Sequence, residues 1–266
     1  MQKPQHKHLL NPKNLPWLAR CIFNPRGYAE IDLLNCSYQI QVPHQLRGNS
    51  RMCYIYQDRY DPSLAILPYL ISPGMNVIDA GAHYGIYSII LSQLCGYKGE
   101  VFAYEPVPEF RRILKRNVEV YKLLNIRVKQ MALSDTDGIG VIHFDKDRSR
   151  TSIRTDFKRT LNSKIINLTS LDSMLKVTPK ISFIKIDTEG FDSKVIRGMH
   201  QLMIRDEPIV QFEINNSESR AEIMDLFLKV GYQYLSISDL CALKGISKPK
   251  NVETCNNYYG LSARFL

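Results

Sequence analysis

The stretch Asn76-Val-Ile-Asp-Ala-Gly-Ala-His-Tyr-Gly85 constrains the fold more than any other part of the chain. Val77 and Ile78 run into an acid, Asp79, and two glycines, Gly81 and Gly85, bracket a short turn. Ile86-Tyr-Ser-Ile-Ile-Leu91 then continues as an apolar-rich stretch suited to a helix. A buried strand, a tight glycine turn and a helix N-terminus make a nucleotide-type cofactor site, because the first N–H groups of the helix and the positive end of its dipole face the ligand.

From this point the chain reads as α/β. Strand 77–79, helix 84–94, strand 100–104, helix 108–125 and strand 126–130 form a βαβαβ run, which predicts a parallel sheet with right-handed crossovers. Residues 138–170 depart from that rhythm and read as a strand-rich insertion, with alternation at 139–144 and 164–168 and an extended piece at 152–154. The rhythm resumes with a short helix 171–175, strand 181–186, helix 191–204, strand 209–213, helix 219–230 and final strands at 232–237 and 258–265. The expected architecture is a Rossmann-like α/β domain over 61–266, a mostly parallel central sheet with helices on both faces.

Residues 1–60 form an N-terminal extension broken by prolines at 4, 12, 16 and 25. A short helix over 15–23 carries the sole tryptophan, Trp17. It is read first as an arm packed on the main domain, and second as a helix lying on a membrane surface. Residues 38–42 and 52–56 read as strands, and Asp61-Pro62-Ser63 caps a helix over 64–71.

A chain of 266 residues, 44% hydrophobic and 23% charged, suits one sizeable soluble domain. No apolar run approaches the roughly 20 residues that cross a bilayer, and no secretory h-region follows Met1. The six cysteines include no Cys-x-x-Cys pair, so they read as reduced thiols of a cytoplasmic protein. A net charge of +9 points to acidic partners such as nucleic acid, anionic lipid or a phosphate- or carboxylate-bearing substrate, or simply to a basic solvated surface.

Two cofactor chemistries compete for the glycine turn. A dinucleotide site has the spacing Gly-x-Gly-x-x-Gly, and His83 stands where its second glycine belongs. Asp79 at the strand end repels a pyrophosphate and suits a cofactor bearing an amine and a sulfonium, which S-adenosylmethionine has. Glu105 ends the next strand, where a carboxylate accepts hydrogen bonds from both ribose hydroxyls. Each such charge-assisted bond is worth about 1.5–3 kcal/mol. Alone, Asp79 reads equally as a helix cap and Glu105 as a surface acid; at successive strand ends they favour S-adenosylmethionine.

Val77-Ile-Asp-Ala-Gly-Ala-His-Tyr-Gly85, Ala103-Tyr-Glu-Pro106, Asn117, Ala132-Leu-Ser-Asp135, Leu171-Asp172 and Ile184-Lys-Ile-Asp-Thr-Glu-Gly190 together resemble the FkbM-type methyltransferases, over roughly residues 60–235. That family consists of class I, S-adenosylmethionine-dependent enzymes, mostly O-methyltransferases of sugars, polysaccharides or polyketides. His83 and Thr188 depart from the asparagine and valine usual there. The resemblance implies a class I methyltransferase fold and cofactor contacts from Asp79, Gly81, His83, Gly85, Glu105, Ala132, Ser134 and Asp187. His83 either touches the cofactor's carboxylate or only closes the turn, and Ser134 either lines the adenine face or belongs to a local turn with Asp135, Asp137 and Gly138.

Strand alternation sends Lys185 and Asp187 to one face and Ile186 to the other. Methyl transfer to a hydroxyl needs in-line alignment and removal of a proton. Asp187 near the methyl, Glu189 as base and Lys185 on a substrate oxygen are the candidate catalytic residues, with Glu213 at the next strand end; a structural ion pair of Lys185 with one acid is the competing reading. Asp187, Glu189 and Glu213 are an alternative ligand set for a divalent ion, but no histidine-rich ligand spacing supports a metal, and none is assigned. The place of the Asn/Asp-Pro-Pro-aromatic element of nucleobase methylases holds Asp187-Thr-Glu-Gly190. Nucleic acid is therefore disfavoured, although Lys146, Arg148, Arg150, Arg154, Lys158 and Arg159 make a basic segment. The expected activity is methylation of a hydroxyl on a saccharide, polysaccharide or related small molecule, anionic acceptors included; an RNA methyltransferase and a non-catalytic cofactor-binding scaffold are the alternatives.

Overall fold

The computed structural model describes residues 12–32, 36–45, 49–57, 61–144, 151–154, 163–188, 190–214, 217–250, 252 and 255–265. The N-terminal part comprises α1 (Asn14–Phe23), β1 (Tyr28–Asp32), β2 (Gln39–Pro43) and α2 (Asn49–Tyr56). A 3-10 turn over Pro62–Ala65 and α3 (Leu67–Leu70) lead into β3 (Val77–Ala80), α4 (Ile86–Cys95), β4 (Val101–Tyr104), α5 (Pro108–Val120) and β5 (Ile126–Lys129). Then come β6 (Ala132–Leu133), β7 (Gly138–Phe144), β8 (Thr151–Arg154) and β9 (Ser163–Thr169). The chain ends with β10 (Phe183–Ile186), α6 (Asp192–Arg197), α7 (His200–Asp206), β11 (Ile209–Glu213), α8 (Ser217–Leu228), β12 (Tyr232–Ser236), α9 (Ile237–Lys244) and β13 (Asn257–Ser262).

Seven strands form the central sheet in the order β12-β13-β11-β10-β3-β4-β5. β11, β10, β3, β4 and β5 run parallel, and β13 is antiparallel to both its neighbours. This is the class I methyltransferase fold. The chain order reverses between β3 and β10, so the crevice for a ligand lies there, at the carboxyl ends of the strands. Every residue of β3 and of β10 is buried, as central strands covered on both faces require. One face packs Val77, Phe183 and Ile209 with α4 and the N-terminal part; the other packs Ile78, Ile184 and Val210 with α6, α7 and α8. A separate four-stranded sheet, β6-β9-β7-β8, occupies the region read as an insertion.

Asn117, fully buried on α5, ties the N-terminal part to the core. It accepts from Gln41 N–H at 3.0 Å and donates to the carbonyls of Gln41 (3.1 Å) and Tyr84 (3.0 Å). β2 is thereby fastened to the back of the glycine turn.

The structure differs from the expected elements in several places. The helix expected over 64–71 is a 3-10 turn followed by the four-residue α3. The helix expected over 108–125 ends at Val120, and the strand expected over 258–265 ends at Ser262. Residues 52–56 lie in α2, where Cys53 is buried and Tyr54 packs against Trp17 at 4.9 Å; a five-residue apolar run does not distinguish helix from strand. Residues 171–175 form turns, and the Asp172 carboxylate accepts from the N–H groups of Gln201 and Leu202 at the start of α7. The helix expected over 191–204 is split at Gly198, which passes so close to residue 134 that a Cβ there would stand 1.9 Å from the Ser134 carbonyl oxygen. The strand expected over 232–237 stops at Ser236, whose hydroxyl accepts from Asp239 N–H and starts α9.

Candidate active site

The turn after β3 is held in left-handed backbone by Gly81 (φ +76°), His83 (φ +52°) and Gly85 (φ +93°). The N–H groups of Gly81 and Ala82 both donate to the Tyr104 carbonyl at 3.0 Å, closing the turn onto the end of β4. A Cβ at Gly81 would stand 2.0 Å from the Asp187 carbonyl oxygen, so glycine is what lets the turn lie against the end of β10.

Glu105 follows β4 and is 4% exposed. Its Oε2 accepts from His83 N–H at 2.8 Å and its Oε1 from Val107 N–H at 2.7 Å. Burial pushes its carboxyl up to about 7, against the pull of those two donors and of Lys185. Each oxygen keeps a lone pair, so both N–H bonds are compatible with further donors from a ribose. The His83 ring packs 4.0 Å from Phe110, centroid to centroid, and burial together with Lys185 holds its pKa down to about 3.

Asp79, Lys185, Gln211 and Tyr259 are lateral neighbours on β3, β10, β11 and β13, forming one polar row across an otherwise apolar face. Lys185 Nζ donates to the Gly81 carbonyl at 3.2 Å and stands 3.4 Å from Asp79 Oδ1 and 3.6 Å from Asp187 Oδ2. Burial would lower its pKa, but the carboxylates of Asp187, Asp79 and Asp61 hold it above the usual lysine value. Asp79 is fully buried and its Oδ2 accepts from the Ser88 hydroxyl at 2.6 Å; Oδ1 has no hydrogen bond despite the nearby ammonium. The Tyr87 ring lies 5.0 Å from Lys185 Nζ, and its hydroxyl donates to Asp61 Oδ2 at 2.5 Å while accepting from Gln211 Nε2 at 2.8 Å. Sequence reading missed Tyr87 and Gln211; the one visible signal was Gln211, a lone amide inside an apolar strand.

Asp187 follows β10 directly, with its side chain 45% exposed. Glu189 lies outside the described residues, as do residues 145–150 and 155–160 of the basic segment. Ala132 and Ser134 are buried in and after β6. Ser134 N–H donates to the Thr169 carbonyl at the end of β9 at 2.8 Å, and its hydroxyl to its neighbour Asp135 Oδ1 at 3.0 Å.

Residues 79–234 match the Methyltransferase FkbM domain. The chain belongs to the FkbM methyltransferase family. A methyltransferase FkbM from Methylobacillus flagellatus KT superposes with a TM-score of 0.51 at 13% identity, covering 79% of this chain and 53% of that one. This chain thus spans about half the length of that relative. A SAM-dependent methyltransferase from Aquifex aeolicus gives a TM-score of 0.41 at 15% identity, over 76% of this chain and 87% of that one. Aeropyrum pernix fibrillarin, which carries natively bound S-adenosyl-L-methionine, gives 0.44 at 11% identity, over 75% and 73%. No protein of curated function matches the sequence.

S-adenosylmethionine is the family's cofactor. The residues present fit it: Glu105 is a buried carboxyl with open lone pairs at the turn, and the turn itself lies so close to β10 that a Cβ at Gly81 would obstruct it.

Two features beside the FkbM motif were not read from sequence. Asp192, at the start of α6, is 4% exposed. Its Oδ2 accepts from Thr188 Oγ1 and Gly190 N–H, each at 3.3 Å, so it fastens the loop that follows Asp187; its Oδ1 has no hydrogen-bond partner. Burial first, then Asp187 and Glu213, push its carboxyl up to about 7. The second feature is a groove of about 560 Å³ between α8 and the edge strand β12, lined by Arg220, Met224, Tyr232, Tyr234, Ser236 and Tyr258. Tyr258 pairs with Phe212 on one side and Ser236 on the other, so this end of the groove adjoins the Glu213 end of β11. Arg220 stands 6.0 Å and 5.9 Å from the Tyr234 and Tyr258 ring centroids.

Proposed function

We propose that this protein transfers a methyl group from S-adenosylmethionine to a hydroxyl of a saccharide or related metabolite. The observation that carries the reading is the meeting of two sets of groups at the switch point between β3 and β10: the turn with Glu105 on one side, and Asp187 with the Asp192-fastened loop on the other. On this reading Gly81, His83, Gly85 and Glu105 form the cofactor side, with Ala132 and Ser134 flanking it, and Asp79 acts from beneath through Lys185.

When bound, the cofactor supplies an electrophilic methyl on a sulfonium. The chain's own work is to hold the acceptor oxygen in line and take its proton; alignment can account for up to about 7–11 kcal/mol and a base for about 10²–10⁴-fold. Asp187 is the exposed acid at the strand end, Glu189 is the assigned base, and the Lys185 ammonium orients Asp187 from 3.6 Å. The groove of Tyr234, Tyr258, Ser236 and Arg220 supports a saccharide acceptor. Ring faces pack against the C–H face of a sugar, and the hydroxyl and guanidinium bond its oxygens. Strands lie about 4.8 Å apart, so β12 is about 14 Å from β10, the span of a short oligosaccharide.

The test is transfer of labelled methyl groups from S-adenosylmethionine into a pool of glycan oligomers. Expected are alkali-stable methyl ethers, loss of turnover in Glu189→Gln with cofactor affinity retained, and a raised acceptor KM in Tyr234→Ala. Label arriving only in RNA, or full turnover in both variants, would overturn the reading.

A further inference from the structure

α1 carries apolar side chains on two sides. Trp17 and Cys21 turn inward, 1% and 8% exposed, and Trp17 Nε1 donates to the Gln45 carbonyl at 2.8 Å. On the opposite side Leu15, Leu18, Ile22 and Phe23 are 75%, 44%, 60% and 85% exposed. At about 100° per residue, Leu18, Ile22, Leu15, Ala19 and Phe23 follow one another round an arc of about 140° with no polar side chain inside it. Scattered exposed leucines are ordinary, but an unbroken apolar arc of this kind marks a surface that something covers.

The charge around α1 identifies the occupant. The first 29 residues contain Lys3, Lys7, Lys13, Arg20 and Arg26 and no aspartate or glutamate. Lys13, Arg20 and Arg26 are all exposed. Apolar side chains bordered by cations match the boundary between headgroups and acyl chains of an anionic leaflet. A second copy is disfavoured, because two chains of net charge +9 would bring together two segments that carry cations and no acid. Among the described residues no helix is long and apolar enough to cross a membrane, so the contact lies in the interface plane.

We infer that α1 docks this protein on an anionic lipid surface through Leu15, Leu18, Ile22 and Phe23 while Trp17 keeps the helix packed on the domain. The inference stands apart from the choice of acceptor.

The experiment is co-sedimentation of the full chain with vesicles of phosphatidylcholine alone and of phosphatidylcholine with phosphatidylserine. The expected result is binding to the anionic vesicles only, weakened by salt and by Arg20→Glu with Arg26→Glu. A Leu18→Ser, Ile22→Ser, Phe23→Ser variant should bind at least about tenfold more weakly. All three positions are exposed, so the variant should keep its thermal midpoint. Trp17 is the sole tryptophan and should keep its emission maximum on binding. Failure to sediment with either vesicle, equal sedimentation of the triple variant, a shifted Trp17 emission, or a wild-type dimer that the triple variant makes monomeric would overturn the inference.

Discussion

Lys185 and Asp79 face each other on paired strands, with Nζ 3.4 Å from Oδ1 and neither side chain more than 5% exposed. The same ammonium donates to the Gly81 carbonyl and approaches Asp187, so one buried cation links the cofactor turn to the acid at the end of β10. Removing one partner of a buried pair strands the other. Lys185→Met should therefore cost about 3–5 kcal/mol in urea unfolding, and adding Asp79→Asn should restore at least half of it. A single-variant loss below about 1 kcal/mol would show that the pair contributes no more than an ordinary surface contact.

Gly81 and Gly74 separate backbone strain from close approach. Both have positive φ, +76° and +88°, but a Cβ at Gly74 meets nothing nearer than 4.0 Å whereas one at Gly81 meets the Asp187 carbonyl at 2.0 Å. Gly74→Ala should cost only the left-handed strain, about 1–2 kcal/mol. Gly81→Ala should cost more and also abolish cofactor binding by calorimetry, because the turn must lift away from β10. Equal costs with intact binding would remove the close approach from the account.

The parallel α/β core was legible because its strands and helices are long, periodic and separated by glycine and proline. The candidate site was legible as acids placed at strand ends, at Asp79, Glu105 and Asp187. Partnerships were not legible: the register that places Asp79 beside Lys185, and Lys185 beside Gln211, comes from crossovers more than 20 residues long. Asp192 escaped notice because an acid in the first turn of a helix is common, and its burial depends on how the 188–190 loop folds over it. The helix expected over 191–204 runs through Gly198, and only the approach of Ser134 explains the break there.

Glu105 makes cofactor affinity depend on pH. Its carboxyl stands at about 7 in the free protein, yet the anion is the form that accepts from His83, Val107 and a ribose. Below that pH binding must expel a proton. Affinity should rise by up to tenfold per pH unit from about pH 5 to about 7 and level off above. Calorimetry in buffers of different ionisation enthalpy should report proton release; proton uptake would sink the assignment. Glu105→Gln should weaken binding and flatten the profile.

Asp192 carries a related effect on stability. Its folded pKa is raised to about 7 from the ordinary value of 3.8, chiefly by burial and then by Asp187 and Glu213. The fold thus prefers the protonated acid, so the stability this group contributes is fully present below about pH 4 and is lost as pH rises through about 7. Asp192→Asn keeps an acceptor for Thr188 and Gly190 and removes the charge. The variant should match the wild type near pH 4 and exceed it above about pH 7, with the gap opening between those limits. Glu105 titrates in the same sense, so a residual slope should survive in the variant. Unfolding midpoints across that range decide the matter: a variant less stable than the wild type at about pH 8 would mean that the buried Asp192 Oδ1 is engaged as an anion after all.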